Sequence, residues 1–348
     1  MTPVTFACMD ADTLGGIQQI THTLAQGLAE RGHEVRVIGL HRDGRPFRYV
    51  ERPLYRQAVI NHTPIGVERR RWADRRLRLA LPSEGFLVMT SPGVVTRLAG
   101  LDGGLLRIGQ YHGSFEHARG SWHLGSIRAH YWKLEQAVFL SEADACRFAE
   151  DGLLPNTWAL PNPLQSWPEQ VSALDHRRVL GVGRLEGVKR FDRLISAFAL
   201  AAPPPWELHL IGDGAELPRL RAHAAREGVG DRVVFRGRVP VSAMPEEYRR
   251  AAVLGLTSEH EGLPLVLLEA AAHGVPAVAF DVSGGVRSAE PVLVPPGDVD
   301  GFAEQLGRLL ADHDERRRLG AAARARAADF RLERVLDRWE ELFAHITR

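Results

Sequence analysis

The sequence predicts an α/β protein made of two doubly wound, Rossmann-like domains, and three observations predict it. Short apolar runs alternate with amphipathic stretches, glycine-rich turns follow two of those runs, and the alternation restarts near the middle of the chain. The length of 348 residues suits two domains at about 150 residues each.

Val4 to Met9 is a continuous apolar run, which suits a strand buried on both faces. Gly15 and Gly16 follow, then Ile17, Ile20, Leu24 and Leu28 fall at helical spacing up to Gly32, a residue suited to ending a helix. Val35 to Leu40 reads as the next strand, and a strand, glycine turn, helix and strand in succession imply a parallel βαβ unit. In the second half the spacing predicts a strand over Arg178–Val182, a helix over Phe191–Ala201 and a strand over Glu207–Ile211. Helix 215–227, strand 232–235, helix 243–251, strand 253–257, helix 264–273 and strand 277–280 continue the alternation.

Three helical segments end the chain, near 298–311, 314–328 and 331–346. In the last, Leu332, Val335, Leu336, Trp339, Leu342, Phe343 and Ile346 form an apolar stripe that must dock on something. The polar stretch 165–177, after Leu160-Pro161-Asn162-Pro163-Leu164, reads as a linker. The expected organisation is 1–164, 165–330 and a terminal helix over 331–348.

Composition narrows the function. Forty-four Lys plus Arg balance 43 Asp plus Glu, a net charge of +1, which gives no global attraction to nucleic acid. Two cysteines, Cys8 and Cys146, are too few for a disulfide scaffold. No basic segment followed by a long apolar stretch opens the sequence, and the run Ala270–Phe280 is too short to span a bilayer. The expectation is a soluble, cytoplasmic protein, at most bound to a surface. Asp10-x-Asp12, Asp298-x-Asp300 and Asp312-x-Asp314 imitate a metal motif, but Asp298 and Asp314 sit where helices begin, as caps do. His112, His117, His123 and His130 lack the i, i+4 spacing of a zinc pair, so no metal is expected.

Three segments carry candidate chemistry. Gly15-Gly16 opens a helix, where free backbone N–H groups and the helix dipole favour an anion, although two glycines also make an ordinary tight turn. Gly181-Val182-Gly183-Arg184-Leu185-Glu186-Gly187-Val188-Lys189 follows a strand, and Arg184 with Lys189 could grip a diphosphate. Lys189 is one of two lysines among 44 basic residues; two solvated loop charges remain the alternative. In Glu261-Gly262-Leu263-Pro264 through Glu269, two carboxylates lie on a loop and the helix after it, able to accept bonds from a polyol. Apolar neighbours make an unpartnered Glu269 costly, so capping or pairing is its other reading.

Glu261, a seven-residue gap and Glu269 resemble the E-x7-E motif of the retaining family-4 glycosyltransferases, which have the GT-B fold. Gly15-Gly16 with Leu28 to Val35, Gly183 to Ile195, Leu210 to Gly214 and Val294 to Asp298 resemble further family segments in order. The resemblance implies two Rossmann-like domains facing an interdomain cleft, with hinge closure across 160–177 and the terminal helix packing back on the first domain. It implies a metal-independent hexosyltransferase of glycan, envelope or glycoconjugate biosynthesis that uses a nucleoside-diphosphate sugar, UDP ahead of GDP, and needs no cofactor. The acceptor would be a glycan, a lipid-linked molecule or a small molecule. Arg184, Lys189 and the Gly16 amide would meet the diphosphate, with Gly15 and Gly183 shaping the approach. Glu261, Gly262 and Leu263 would hold the sugar, Glu269 the ribose, and Arg238 and Val239 would flank the base. His112 matches the family's histidine near sugar and acceptor. The segment Gly284–Glu290 is shorter than the family loop it resembles. An NAD(P)-dependent oxidoreductase, with Asp213 on the ribose, and a GT-B epimerase or phosphorylase are the other readings. Arg69, Arg70, Arg71, Arg75, Arg76 and Arg78 surround Trp72, Leu77, Leu79 and Leu81, a pattern that suits peripheral contact of 69–81 with an anionic inner membrane face or an ordinary solvated run.

Overall fold

The computed structural model describes residues 2–42, 44–61, 70–100 and 103–348, with the backbone alone at 70–73. The chain forms two compact units, Met1–Gln165 with Leu332–Arg348, and Ser166–Arg331.

Among the described residues, the first unit holds seven strands: β1 (Val4–Cys8), β2 (Val35–His41), β3 (Arg56–Asn61), β4 (Phe86–Met89), β5 (Leu106–Tyr111), β6 (Gln136–Phe139) and β7 (Thr157–Ala159). They pair in parallel in the order β3-β2-β1-β4-β5-β6-β7. The order reverses beside β1, which pairs with both β2 and β4, and connections leaving such a point diverge and open a crevice at the strand ends. A cavity of 230 Å³ lies there, lined by residues that include Asp10, Thr13, Gln18, His41 and Ser91.

The terminal stripe docks on this unit. In the helix Leu332–Ile346, Val335, Leu336, Trp339, Leu342 and Phe343 are buried. Trp339 meets Phe6 edge-on at 6.0 Å between ring centroids, and Phe343 stacks on Phe86 at 4.4 Å. Arg31 bridges Asp337 and Glu340, each at 2.7 Å, at the rim. Each buried large side chain is worth roughly 1.5–3 kcal/mol, so the apolar stripe outweighs the half-exposed ion pairs.

The second unit holds β8 (Arg178–Val182), β9 (Glu207–Ile211), β10 (Val233–Gly237), β11 (Val253–Leu256), β12 (Ala277–Phe280) and β13 (Val292–Val294). Their parallel order is β10-β9-β8-β11-β12-β13. Helices Phe191–Ala201 and Val299–Ala311 cover one face, packing Leu194, Phe198, Phe302 and Leu306 against Val179, Leu208 and Phe280.

Two expectations need correction. Residues 166–177 are no free linker: Leu174 is buried, Ser172 N donates to His273 O at 2.8 Å, and Ser172 Oγ donates to Ala251 O at 2.7 Å. Ser172 and Leu174 pin the stretch to the second unit, while most of its other polar side chains face solvent. Asp298 does cap its helix, accepting from Gly301 N at 2.9 Å, but the next helix is capped by Asp312 through Glu315 N at 2.9 Å, not by Asp314.

The helix Arg70–Ala80 buries Leu77 and exposes Leu79, and Asp74 pairs with Arg97. Arg69 and the side chains of Arg70, Arg71 and Trp72 lie outside the described residues. Among the described residues no helix is long and apolar enough to cross a membrane.

Candidate functional site

In the second unit β8 runs into Gly183 (φ +156°), and β9 runs into Gly212 (φ +139°). A Cβ on Gly212 would sit 1.8 Å from Gly183 O, so the two loops touch backbone to backbone and Gly212 tolerates no side chain. A short 3-10 turn, Gly187–Lys189, follows, then Arg190 in a left-handed conformation (φ +48°). That conformation is strained for a residue with a Cβ and needs anchoring. Arg190 binds Asp192 at 3.0 Å and also pairs with Glu259. Thr257 Oγ1 donates to Arg190 O and Glu259 N to Val188 O, both at 2.9 Å. The loop carrying Lys189 is thus tied to the loop carrying Glu261. Arg190 was not legible as part of the site, because its partner Glu259 lies 69 residues away.

The tie brings Lys189 and Glu261 together, Nζ to Oε1 at 2.7 Å, with the side chains 21% and 11% exposed. Arg184 stays apart: its side chain is 75% exposed and bonds Glu186 at 3.0 Å. The expected pair of cations is therefore one cation held by a carboxylate and one projecting into solvent.

Glu261 leads into Gly262 and Leu263, and this peptide is braced from behind. Ser283 Oγ donates to Gly262 O at 3.1 Å, and a Cβ on Gly285 would fall 1.8 Å from the same oxygen. Ser283 also caps the short helix Gly284–Ser288 by accepting from Val286 N at 3.1 Å. The shortened segment is thus a rigid wedge under Gly262.

Glu269 lies in the helix Leu265–Ala272. Tyr248 donates its hydroxyl to Glu269 Oε2, while Glu269 O meets His273 Nδ1 at 2.8 Å. Burial pushes the Glu269 carboxyl up from its ordinary value, and the tyrosine bond only partly offsets this. The carboxylate is partnered, as the pairing reading of Glu269 expects; Tyr248 itself gave no sign in sequence. Gly237 (φ +66°) turns the chain out of β10 into exposed Arg238 and partly buried Val239. Asp213 Oδ1 accepts from the amide of Gly214 at 2.9 Å and so serves its own turn.

In the first unit Gly15 is the extended residue that begins the helix Gly16–Glu30. Its amide is spent, donating to Tyr49 Oη at 2.7 Å, so the anion-binding expectation narrows to Gly16 and the residues after it. His112 follows β5. Burial pushes its pKa down to about 4, with Asn162 pulling the other way, so its imidazole is neutral at pH 7. Asp10 accepts from Asp12 N at 3.0 Å and Thr13 N at 3.2 Å, and Asp12 binds Arg42 Nε at 2.8 Å. Among the described residues no three His, Cys, Asp or Glu side chains gather as a metal site.

Residues 14–147 match the family model described as Glycosyltransferase Family 4, and residues 166–326 match that of glycosyl transferases group 1. An exopolysaccharide phosphotransferase of Streptomyces coelicolor is 30% identical over 99% of this chain and 41% of its own. The chain therefore spans less than half the length of that relative. Sucrose-phosphate synthase from Thermosynechococcus elongatus superposes with a TM-score of 0.84 at 21% identity, over 100% of this chain and 99% of that one. Anabaena HepE, solved in complex with UDP and glucose, superposes with a TM-score of 0.80 at 18% identity, over 99% of this chain and 100% of that one.

Proposed function

The chain belongs to the family-4 glycosyltransferases of GT-B fold, and from that premise we propose that it transfers a hexose, with retention, from a nucleoside-diphosphate sugar to a hydroxyl acceptor. The observation that carries this reading is the Lys189–Glu261 pair at 2.7 Å, fixed by the Arg190–Glu259 tie. It sets a cation for a diphosphate directly beside a carboxylate for sugar hydroxyls, the two chemistries a nucleotide sugar presents across one phosphoester bond. UDP in the HepE structure supports a uridine donor, and the Streptomyces relative supports a glycan acceptor in envelope or exopolysaccharide synthesis.

Catalysis in such a transfer is mainly charge stabilisation. The acceptor oxygen attacks the anomeric carbon on the face the diphosphate leaves, the carbon–oxygen bond to phosphate breaks, and a phosphate oxygen takes the acceptor proton. Lys189 and Arg184 offset the charge that grows on the diphosphate. Glu269 accepts from the ribose, Glu261 with the Gly262–Leu263 backbone orients the sugar, and Arg238 and Val239 border the base. A neutral His112 in the first unit is suited to exchanging hydrogen bonds with an acceptor hydroxyl without adding charge. No step calls for a metal.

The oxidoreductase reading leaves Lys189 and Glu261 without a task, and Asp213 already serves Gly214. An epimerase or phosphorylase on the same fold would release or isomerise sugar without a second hydroxyl acceptor. The test is a panel of UDP- and GDP-hexoses with glycan and lipid-linked acceptors, the product anomer being read by proton NMR. Transfer with the donor's anomeric configuration supports the reading. Inversion, or sugar release that no acceptor alters, overturns it.

A further inference from the structure

Glu247 and Tyr248 are neighbours in the six-residue helix Met244–Arg249, and their side chains reach different elements of the second unit. A helix so short has little hold of its own. Glu247 supplies one: it is buried, pairs with Arg178 of β8, and binds Arg236 of β10 at 2.9 Å. Breaking a buried pair of this kind strands a charge, so the helix is firmly fastened to the sheet. From that fixed base the buried Tyr248 donates its hydroxyl to Glu269 Oε2. Its ring stacks on His273, with centroids 5.2 Å and planes 26° apart. His273 is tied back in turn, its Nδ1 2.8 Å from Glu269 O, so the tyrosine is braced against the same helix that carries the carboxylate.

The bond fixes more than a buried hydroxyl. The last torsion of a glutamate side chain is soft, and an unheld carboxylate swings about it. Holding Oε2 stops that swing and sets where the other oxygen points. Oε1 accepts a hydrogen bond from no described residue, which leaves it the acceptor for a ligand.

We propose that Tyr248 is a positioning residue which, by holding Glu269 Oε2, presents Oε1 to the ribose of the nucleotide donor. This rests on the glycosyltransfer reading, in which Glu269 accepts from that ribose. A hydroxyl that only satisfied a buried carboxylate would, when lost, weaken every nucleotide alike. One that aims Oε1 governs the choice between ribose and deoxyribose.

Titration calorimetry on the full chain at pH 7.5 compares UDP with 2′-deoxy-UDP and GDP with 2′-deoxy-GDP, the ratio being taken for the base that binds more tightly. The wild type should prefer the ribonucleotide about tenfold, the scale of one hydrogen bond to a charged group. Tyr248→Phe keeps the ring on His273 and removes one oxygen. Its preference should fall below about threefold, with the deoxynucleotide bound nearly as in the wild type. In a Glu269→Gln background, where the preference is already mostly lost, Tyr248→Phe should change affinity by less than about twofold, because it acts through the carboxylate. Melting of the free chain checks folding, and should Tyr248→Phe not fold, Tyr248→Met enters the same comparison under the same criteria.

A variant that keeps the wild-type preference overturns the proposal, as does an equal loss for ribonucleotide and deoxynucleotide. Glu269→Gln separates the layers. If it erases the preference while Tyr248→Phe retains it, only the Tyr248 role fails. If the wild type shows no preference, the ribose contact of Glu269 fails and the Tyr248 role falls with it. If no nucleoside diphosphate binds at all, the glycosyltransfer reading itself fails.

Discussion

Lys189 Nζ and Glu261 Oε1 lie 2.7 Å apart, although 72 residues separate them in sequence. Under the proposed function, a cation that would meet a diphosphate is held by a carboxylate until the donor arrives. The pair keeps both side chains aimed at one place and avoids the cost of leaving either charge alone in a mostly buried setting. In that reading donor binding redistributes the pair, the phosphate taking the lysine and sugar hydroxyls taking the glutamate.

Glu261→Gln should therefore have opposite effects on two ligands. Free UDP should bind about two- to fivefold more tightly, because a partly buried ion pair worth about 1 kcal/mol no longer competes for Lys189. Turnover of the UDP-sugar should fall, because the sugar contact is weakened. Calorimetry with UDP and initial rates with the sugar nucleotide separate the two; weaker UDP binding would contradict the competition.

Lys189→Ala should cost about 2–4 kcal/mol of transition-state stabilisation, mostly in kcat, if its charge meets the departing diphosphate. Lys189→Arg should restore only part, since a planar fork replaces a point charge at the end of the chain that packs beside Gly183. Single-turnover rates decide it, and unchanged kinetics in Lys189→Ala would remove the lysine from the mechanism.

Glu269 makes a prediction in pH. Its free-state pKa is raised above the ordinary 4.5 by burial, and in the proposed role the ribose hydroxyls need the ionised form as acceptor. UDP affinity should therefore be full above that raised value and decline as pH falls through it. In Glu269→Gln affinity should be lower throughout and the decline shallower, leaving the part that follows protonation of the terminal phosphate of UDP, whose second pKa is about 6. Titration calorimetry between pH 4 and 7.5 measures both, and an unchanged decline in the variant would assign it to another group.

His112 predicts the stability of the first unit. Its pKa falls from 6.5 unfolded to about 4 folded, so the folded chain resists protonating it. The stability it contributes is complete above 6.5 and is lost as pH falls toward 4. Urea unfolding of wild type and His112→Gln should therefore diverge in slope across that window, the variant losing less. Parallel slopes would place the histidine in a wetter setting.

The strands and helices of the second unit were legible because a buried parallel strand must be apolar throughout and a covering helix must be apolar on one face. Arg178–Val182, Phe191–Ala201, Glu207–Ile211 and Ala277–Phe280 have the bounds their patterns indicate. The terminal stripe was legible for the same reason, since Trp339 and Phe343 could not remain in water. The site was legible as a set of residue types but not as a set of contacts. Arg190–Glu259, Tyr248–Glu269 and Tyr49–Gly15 each join residues 21 to 69 positions apart, and no local periodicity encodes such a pairing. The inward bonding of Ser172 hid for a related reason: a polar composition does not reveal where its hydrogen bonds go.

The most direct test of the central claim, that the second unit holds the nucleoside diphosphate of a sugar donor through Lys189 and Glu269, is titration calorimetry with UDP and with NAD. It is run on the wild-type chain, Lys189→Ala and Glu269→Gln at pH 7.5. The account predicts that UDP binds the wild type, that each substitution weakens it at least tenfold, and that NAD gives no heat. NAD binding without UDP binding, or UDP binding that neither substitution changes, would contradict it.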